Sequence, residues 1–212
     1  MHSQIYFDYN ATTPCTKEVV DSMLPYFYQN FGNPSSSHHA YGWLAKSAVE
    51  DATLSISRNL GVSPKSLVYT SGSTESINMV LKGIARKMLS KGNHIITTKA
   101  EHKAVLDTCA FLEEDGFEVT YLDVDSKGLI SIDMLNKTLR PETILVSILY
   151  ANNETGTIQP LDEISKLIHE NGSLLFSDTT QALGKVDLSK IFQLVDFACF
   201  SAHKIYGPKG IG

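Results

Sequence analysis

The sequence lacks the features that would indicate a secreted, membrane-spanning or zinc-binding protein. It has only three cysteines, Cys15, Cys109 and Cys199, and their odd number and wide separation match neither a disulfide framework nor a metal pattern. No basic segment followed by an apolar run opens the chain, and the longest apolar stretch, residues 143–151, is too short to cross a bilayer. We therefore expect a cytoplasmic protein with reduced thiols, no membrane association and no metal site.

Clusters of positive charge are also missing. The chain has 18 Lys and Arg against 23 Asp and Glu, and its cations are scattered singly. Proteins that bind nucleic acid neutralise the phosphate backbone with grouped Lys and Arg side chains. No nucleic-acid partner is therefore predicted, whereas a hydrophobic content of 42% is typical of a globular protein.

Short β-rich runs alternate with helical patterns along the chain, without internal repeats. This alternation predicts an α/β fold, in which a mostly parallel sheet carries helices on both faces. The predicted strands are residues 66–70, 94–98, 118–124, 143–149, 174–177 and 197–200. Two helices, at residues 17–28 and 45–60, are predicted before the first strand.

The helices between the strands are predicted from apolar residues that share one helical face. These stripes are Ile77, Leu81, Ile84 and Met88, then Val105, Cys109 and Leu112, and finally Ile164, Leu167 and Ile168. Because each stripe is continuous and apolar, we interpret it as core and not as part of a site.

Polar residues collect directly after the predicted strands. In an open α/β sheet, ligands bind beyond the carboxyl ends of the strands, so this edge is the predicted site. The clusters are residues 71–74, Glu101 with His102, residues 152–154, Asp178 with Gln181, and residues 201–204.

Three of these clusters suggest a phosphorylated aromatic cofactor. Residues 71–74 place small residues and hydroxyls at a helix N-terminus, where they bind a phosphate or simply cap the helix. Asp178 is a partly buried carboxylate that suits a protonated ring nitrogen or a turn. Lys204 projects from a buried strand and is either a solvated lysine or an amine able to form a Schiff base.

The remaining polar residues fit the same interpretation. His102 opens a helix, where its ring stacks on a cofactor and moves protons or else caps the helix. Asn153 and Gln181 donate hydrogen bonds to a ring oxygen or only tie down the backbone. Each residue taken alone has an ordinary structural explanation, and it is the combination that indicates a site.

In order and spacing, seven segments resemble the class V aminotransferase-like cysteine desulfurases of the NifS/IscS type. They are YFDYNATTP, GNPSSSH, TSGSTESIN, EHKAV, ANNETG, SDTTQALGK and SAHKIYGPKG, and they span essentially the whole chain. The resemblance implies a pyridoxal-phosphate-dependent transferase of fold type I. It assigns residues 1–14 to a small domain and residues 15–212 to an incomplete large domain that binds the cofactor.

The resemblance also implies an activity and partners. Such an enzyme works as a homodimer, converts L-cysteine to L-alanine and holds the sulfur as a cysteine persulfide. A sulfur-acceptor or scaffold protein then receives the sulfur for iron–sulfur cluster or thio-cofactor synthesis.

The resemblance gives each matched residue a role. Lys204 is the Schiff-base lysine and general base, Asp178 pairs with the pyridine nitrogen, and His102 stacks on the ring and moves protons. The remaining cofactor contacts are Ser73, Thr74, Ser201 and His203 around the phosphate, Gln181 at the phenolic oxygen, and Asn153 at cofactor or substrate.

Two functional groups of the family lie beyond the lysine, namely a catalytic cysteine on a mobile loop and an arginine for the substrate carboxylate. We expect residues 1–212 alone to be inactive, because their own three cysteines are predicted to be buried and unreactive. Two alternatives stay open. One is another fold-type-I enzyme, such as a selenocysteine lyase or a kynureninase-like protein, and the other is a non-catalytic cofactor-binding remnant.

Overall fold

The structure is a computed structural model that describes residues 4–212. The chain forms two compact units. Unit 1 contains the described residues up to Tyr69 together with Ala202–Lys209, and unit 2 contains Thr70–Ser201 with Gly210–Gly212. The predicted division at residue 14 between a small and a large domain stays a prediction.

Unit 1 contains two helices, α1 (Lys17–Tyr28) and α2 (Ala40–Leu60). The start of α1 agrees with the sequence, whereas α2 begins at residue 40 instead of the predicted 45. His39 caps α2, since its Nδ1 accepts a hydrogen bond from the Gly42 N–H at 3.2 Å. Gly42 is required in this first turn because an added Cβ would lie 2.0 Å from the Ser36 carbonyl oxygen.

Unit 2 contains a parallel sheet, which confirms the predicted fold class. Within residues 4–212 the sheet has five strands in the order β2-β1-β3-β4-β5, and every neighbouring pair is parallel. The strands are β1 (His94–Thr98), β2 (Glu118–Leu122), β3 (Thr143–Ser147), β4 (Leu174–Asp178) and β5 (Phe197–Cys199). All residues of β1 and β3 are buried, as expected for central strands of a covered parallel sheet.

Helices of unit 2 cover both faces of this sheet. They are α3 (Ser73–Met88), α4 (Lys103–Glu114), α5 (Ile132–Thr138), α6 (Leu161–Glu170) and α7 (Ile191–Leu194). Neighbouring residues of β1 point to opposite faces: Ile95 packs in a cluster with α3 and α4, and Ile96 in one with α5, α6 and α7. The three predicted apolar stripes lie in these two clusters, so their interpretation as core is confirmed.

The first of the six predicted strands, residues 66–70, is wrong. Pro64–Ser66 forms a single 3-10 turn that begins at the Ser63 cap. Thr70 exchanges two backbone hydrogen bonds with Gly212, at 2.8 and 2.9 Å, but one such pair is not a strand ladder. The ends of the other five strands lie within two residues of the prediction.

No helix of the described residues 4–212 is long and apolar enough to cross a membrane.

Candidate functional site

A cluster of hydroxyl groups lies at the N-terminus of α3 in unit 2. The Ser201 hydroxyl accepts a hydrogen bond from the Ser73 N–H at 2.8 Å, and the two hydroxyls are 2.9 Å apart. The Ser73 hydroxyl also lies 2.6 Å from the buried Thr180 hydroxyl. The preceding Gly72 has φ 153°, and an added Cβ there would lie 3.4 Å from the Ser201 hydroxyl. Three hydroxyl donors at the positive end of a 16-residue helix form a suitable site for an anion.

Thr74, which is also predicted to contact the phosphate, occupies the second position of α3 and is exposed. Its carbonyl oxygen accepts a hydrogen bond from the Asn78 amide at 2.9 Å. The structure therefore places Ser73 and Ser201 in direct contact and Thr74 beside them on the helix. Thr180, which joins the hydroxyl cluster, was not predicted.

Asp178 ends β4 and is buried, with 3% of its surface exposed. One carboxylate oxygen accepts a hydrogen bond from the Thr180 N–H at 2.9 Å, which confirms the turn role that was one of the two predicted for Asp178. Asp178 is in register with Cys199 of β5, and the thiol bonds to the carboxylate. Burial, followed by this negative charge, holds the pKa of Cys199 well above its usual range. A buried carboxylate at the carboxyl end of a strand is well suited to a cationic partner.

Glu101, the residue before His102, is a buried acid to which the sequence interpretation gave no role. One of its oxygens accepts hydrogen bonds from the Leu149 N–H at 2.6 Å and the Thr98 hydroxyl at 3.2 Å. Its other oxygen is buried and has no hydrogen-bond partner within residues 4–212. Burial raises the pKa of Glu101 to about 8, with a further contribution from the charge of Asp178, against the lowering effect of the Leu149 N–H. Glu101 is therefore mostly protonated at neutral pH.

His102 caps α4, which is the simpler of its two predicted roles. Its Nδ1 accepts a hydrogen bond from the Ala104 N–H at 3.1 Å. This bond requires an unprotonated Nδ1, so Nε2 carries the proton of the neutral ring. The side chain is exposed and remains able to contact a ligand while it caps the helix.

Asn153 and Gln181 are both half-buried in loops that follow strands of unit 2. Asn153 lies in a turn closed by Asn152, whose oxygen accepts hydrogen bonds from the N–H groups of Glu154 and Thr155 at 2.8 and 2.9 Å. The Gln181 side-chain oxygen accepts a hydrogen bond from Lys185 at 2.5 Å. These bonds position the two loops.

The two remaining predicted residues, His203 and Lys204, lie in unit 1, in the 3-10 turn Ala202–Lys204. His203 Nδ1 is 3.0 Å from the Thr12 hydroxyl. Burial, then the charges of Lys204 and Lys209, lower the pKa of His203. The Lys204 ammonium donates to the carbonyl oxygens of Asn10 and Ala11, the latter at 3.0 Å.

The cysteines are poorly suited to nucleophilic chemistry. Cys109 is fully buried on the core face of α4, and burial raises its pKa from the ordinary 9.0 to about 12. Cys199 is likewise buried, but Cys15 is only half-buried, so the prediction that all three cysteines are buried is wrong at Cys15. Since the thiolate is the reactive form, Cys109 and Cys199 are expected to be inert. The described residues also contain no group of three or more His, Cys, Asp or Glu side chains that could hold a metal ion.

Comparison with known proteins gives one consistent family. The family model described as aminotransferase class-V matches residues 5–212. The cysteine desulfurase IscS of Anaeromyxobacter sp. (strain Fw109-5) is 49% identical over 212 residues, which are 100% of this chain and 52% of that protein. The chain thus spans about half the length of the curated relatives it matches.

Solved structures agree with this comparison. A NifS-like protein superposes with a TM-score of 0.94 at 42% identity, covering 99% of this chain and 58% of the other. A structure described as SspA in complex with cysteine gives a TM-score of 0.94 at 42% identity, covering 99% and 60%.

Proposed function

Because the chain belongs to the aminotransferase class-V family, we propose that it is the cofactor-binding part of a pyridoxal-phosphate-dependent cysteine desulfurase. One observation carries the proposal: the buried Asp178 is joined through Thr180 to the hydroxyl cluster at the start of α3. A buried anion and a set of phosphate donors, held together at the carboxyl ends of parallel strands, suit a cofactor that has a cationic ring nitrogen at one end and a phosphate at the other.

The residues of the chain then have separate roles. The cofactor, when bound, withdraws electrons from Cα of an attached amino acid. Asp178 holds a proton on the ring nitrogen by its charge, while the hydroxyls of Ser73, Thr180 and Ser201 bind the phosphate. Lys204 would hold the cofactor covalently and would be the base for the proton at Cα.

The other site residues support this chemistry. His102 stacks on the ring and moves protons through Nε2, because Nδ1 is occupied by the helix cap. Gln181 and Asn153 contact the ring oxygen and the substrate, as in the family. Thr74 and His203 complete the phosphate contacts.

The proposed substrate is L-cysteine, which is converted to L-alanine. Support comes from relatives named cysteine desulfurase and from a structural neighbour described in complex with cysteine. The sulfur passes to a cysteine other than Cys109 and Cys199 and forms a persulfide there, because both of these thiols are buried and burial raises their pKa values. An acceptor or scaffold protein takes it onward for iron–sulfur cluster or thio-cofactor synthesis in the cytoplasm. Residues 1–212 alone are proposed to be inactive.

We also propose that the intact protein is a homodimer. None of the residues of α1, all of them within the described chain, is buried. Large apolar side chains are more than half exposed on and around α1 and α2, namely Phe27, Tyr28, Phe31, Tyr41, Trp43 and Leu44. An apolar surface of this kind on a folded protein is typical of an interface.

The test is chemical labelling of the proposed lysine. The intact protein is incubated with pyridoxal phosphate, reduced with borohydride and mapped by mass spectrometry. We expect a pyridoxyl group on Lys204, its loss in Lys204→Ala, and its retention in the matched control Lys209→Ala from the same loop. An adduct on a different lysine would show that the assignment of Lys204 is wrong.

The same preparation tests the substrate. Wild-type protein loaded with pyridoxal phosphate, but not reduced with borohydride, should release alanine and, in the presence of a thiol reductant, sulfide from L-cysteine at a rate well above that of free pyridoxal phosphate. A preference for L-selenocysteine or kynurenine would instead favour one of the two related enzymes.

A further inference from the structure

The segment Asn10–Thr13, within the YFDYNATTP motif, has no role in the function proposed above. In unit 1 it contacts the turn that carries Lys204, and Thr13 makes the most extensive of these contacts. Thr13 is 6% exposed. Its N–H and its hydroxyl both donate to the His203 carbonyl oxygen, at 2.9 and 2.8 Å. The same hydroxyl accepts a hydrogen bond from the Tyr206 N–H at 2.8 Å.

These bonds fix the backbone on both sides of Lys204. A threonine hydroxyl has one proton to give, and here it gives that proton to residue 203 and accepts another from residue 206. The hydroxyl therefore closes a bridge over Lys204 and Ile205. Removing it would leave the Tyr206 N–H without its acceptor, which is costly for a partly buried donor.

The backbone held in this way is strained. Among the described residues, Tyr206 is the one residue other than glycine with a positive φ, at 63°. A side chain with a Cβ is unfavourable there, so the surrounding bonds must hold the conformation. The Tyr206 carbonyl oxygen also accepts a hydrogen bond from the Thr16 N–H at 3.1 Å, which anchors the residue from its other side.

The same segment holds the end of the lysine side chain. The Lys204 ammonium donates to the carbonyl oxygens of Asn10 and Ala11. An amine that donates hydrogen bonds to two carbonyl oxygens is less available to an electrophile than an amine in water. The position of the Lys204 backbone thus decides whether its amine stays on these carbonyls.

We propose that Thr13 is a positioning residue, which fixes the backbone around Lys204 and so keeps its ammonium on the carbonyls of Asn10 and Ala11. The chemical importance of this role rests on the proposed function, because it matters only if Lys204 is the reacting amine. The bridge itself is a property of unit 1 and is measurable without cofactor.

The experiment compares three variants of the intact, cofactor-free protein. Thr13→Val keeps the shape and removes the hydroxyl, Thr13→Ser keeps the hydroxyl, and Thr12→Val is the matched control. Thr12 contacts the His203 ring and not the loop backbone through its side chain. Each protein is pulse-labelled with acetic anhydride between pH 7 and pH 9, and labelling of Lys204 is divided by that of Lys209 in the same sample.

We expect Thr13→Val to raise this ratio by about 3- to 10-fold, the equivalent of one net hydrogen bond. Thr13→Ser and Thr12→Val should stay within about twofold of wild type. A second readout is hydrogen exchange of the wild-type protein, in which the Tyr206 amide should be protected.

An unchanged ratio in Thr13→Val, or rapid exchange of the wild-type Tyr206 amide, would overturn the proposal. If Thr13→Val does not fold, the exchange of the wild-type Tyr206 amide still decides the proposal. The two proposals can also fail separately. A pyridoxyl adduct on another lysine, together with a raised Lys204 to Lys209 labelling ratio in Thr13→Val, would reject the proposed function of Lys204 and still support the positioning role of Thr13.

Discussion

Replacing Glu101 by Gln should remove much of the pH dependence of folding stability in unit 2. Burial raises the pKa of Glu101 to about 8 from an ordinary 4.5. Between these values the folded protein holds a proton that the unfolded chain has released, so stability falls as pH rises. The favourable contribution is complete below about pH 4.5 and is lost as pH rises through about 8.

The size of this effect on folding stability follows from the shift in the pKa of Glu101. Each pKa unit corresponds to about 1.4 kcal/mol, so wild type should lose about 3 kcal/mol relative to Glu101→Gln between pH 5 and pH 8. Gln keeps one oxygen for the Leu149 N–H and the Thr98 hydroxyl. Its amide adds a buried donor whose cost does not depend on pH. The slope with pH, and not the absolute stability, is therefore the informative quantity.

The assay is equilibrium urea unfolding of wild type, Glu101→Gln and the exposed control Glu114→Gln at several values from pH 5 to pH 8. His94 also titrates abnormally, because burial and then the charge of Arg140 lower its pKa to about 4. It is present in all three proteins, so its effect cancels in the differences. Parallel stability curves for wild type and Glu101→Gln would refute the reasoning and show that Glu101 is ionised in the folded protein.

Two further predictions concern the carboxylate and the thiols of the strand ends. In the intact protein, the Asp178→Ala variant should still bind cofactor, but deuterium exchange at Cα of a bound amino acid should be slower by orders of magnitude, because the ring nitrogen loses its counter-charge. Near-normal exchange would show that Asp178 serves only as the turn partner of Thr180. Iodoacetamide at about pH 8 should label Cys15 first in the folded protein. A pKa of about 12 gives Cys109 a thiolate fraction about a thousandfold below that of an ordinary cysteine, and Cys199 is also buried. In urea the three cysteines should react alike, and early labelling of Cys199 would contradict its burial.

The parallel sheet was predictable because its strands are short apolar runs with clear polar ends. The same approach failed at residues 66–70, where β-favouring side chains follow Pro64. The proline begins a 3-10 turn, and at the other end Thr70 pairs with Gly212, a partner 142 positions away that local propensity does not reveal. The early start of α2 was missed for a related reason, since a histidine cap and Gly42 are weak helix signals.

Within the candidate site, residue type and strand order indicated Asp178 and the hydroxyl cluster that contains Ser73 and Ser201. Thr180 was passed over because its hydroxyl reaches Ser73 only in the folded unit. A local pattern identifies Glu101 as polar but not as a buried acid, since the backbone N–H that contacts its carboxyl belongs to Leu149, 48 positions later. Side chains whose environment comes from distant strands cannot be identified by a local pattern.

The bridge between Thr13 and the lysine turn has a consequence for biosynthesis. Its partners, His203 and Tyr206, lie 190 and 193 positions after Thr13. A ribosome that adds about 5 to 20 residues per second needs about 10 to 40 s to make that intervening chain. During this time the N-terminal part of unit 1 has been synthesised but lacks the turn to which it binds, while the sheet of unit 2 is being completed strand by strand. The exposed aromatic side chains of α1 and α2 are then accessible to other nascent chains. The Thr13 bridge therefore forms only after the strands of unit 2 have been made, and a nascent chain that stops before residue 206 cannot complete it.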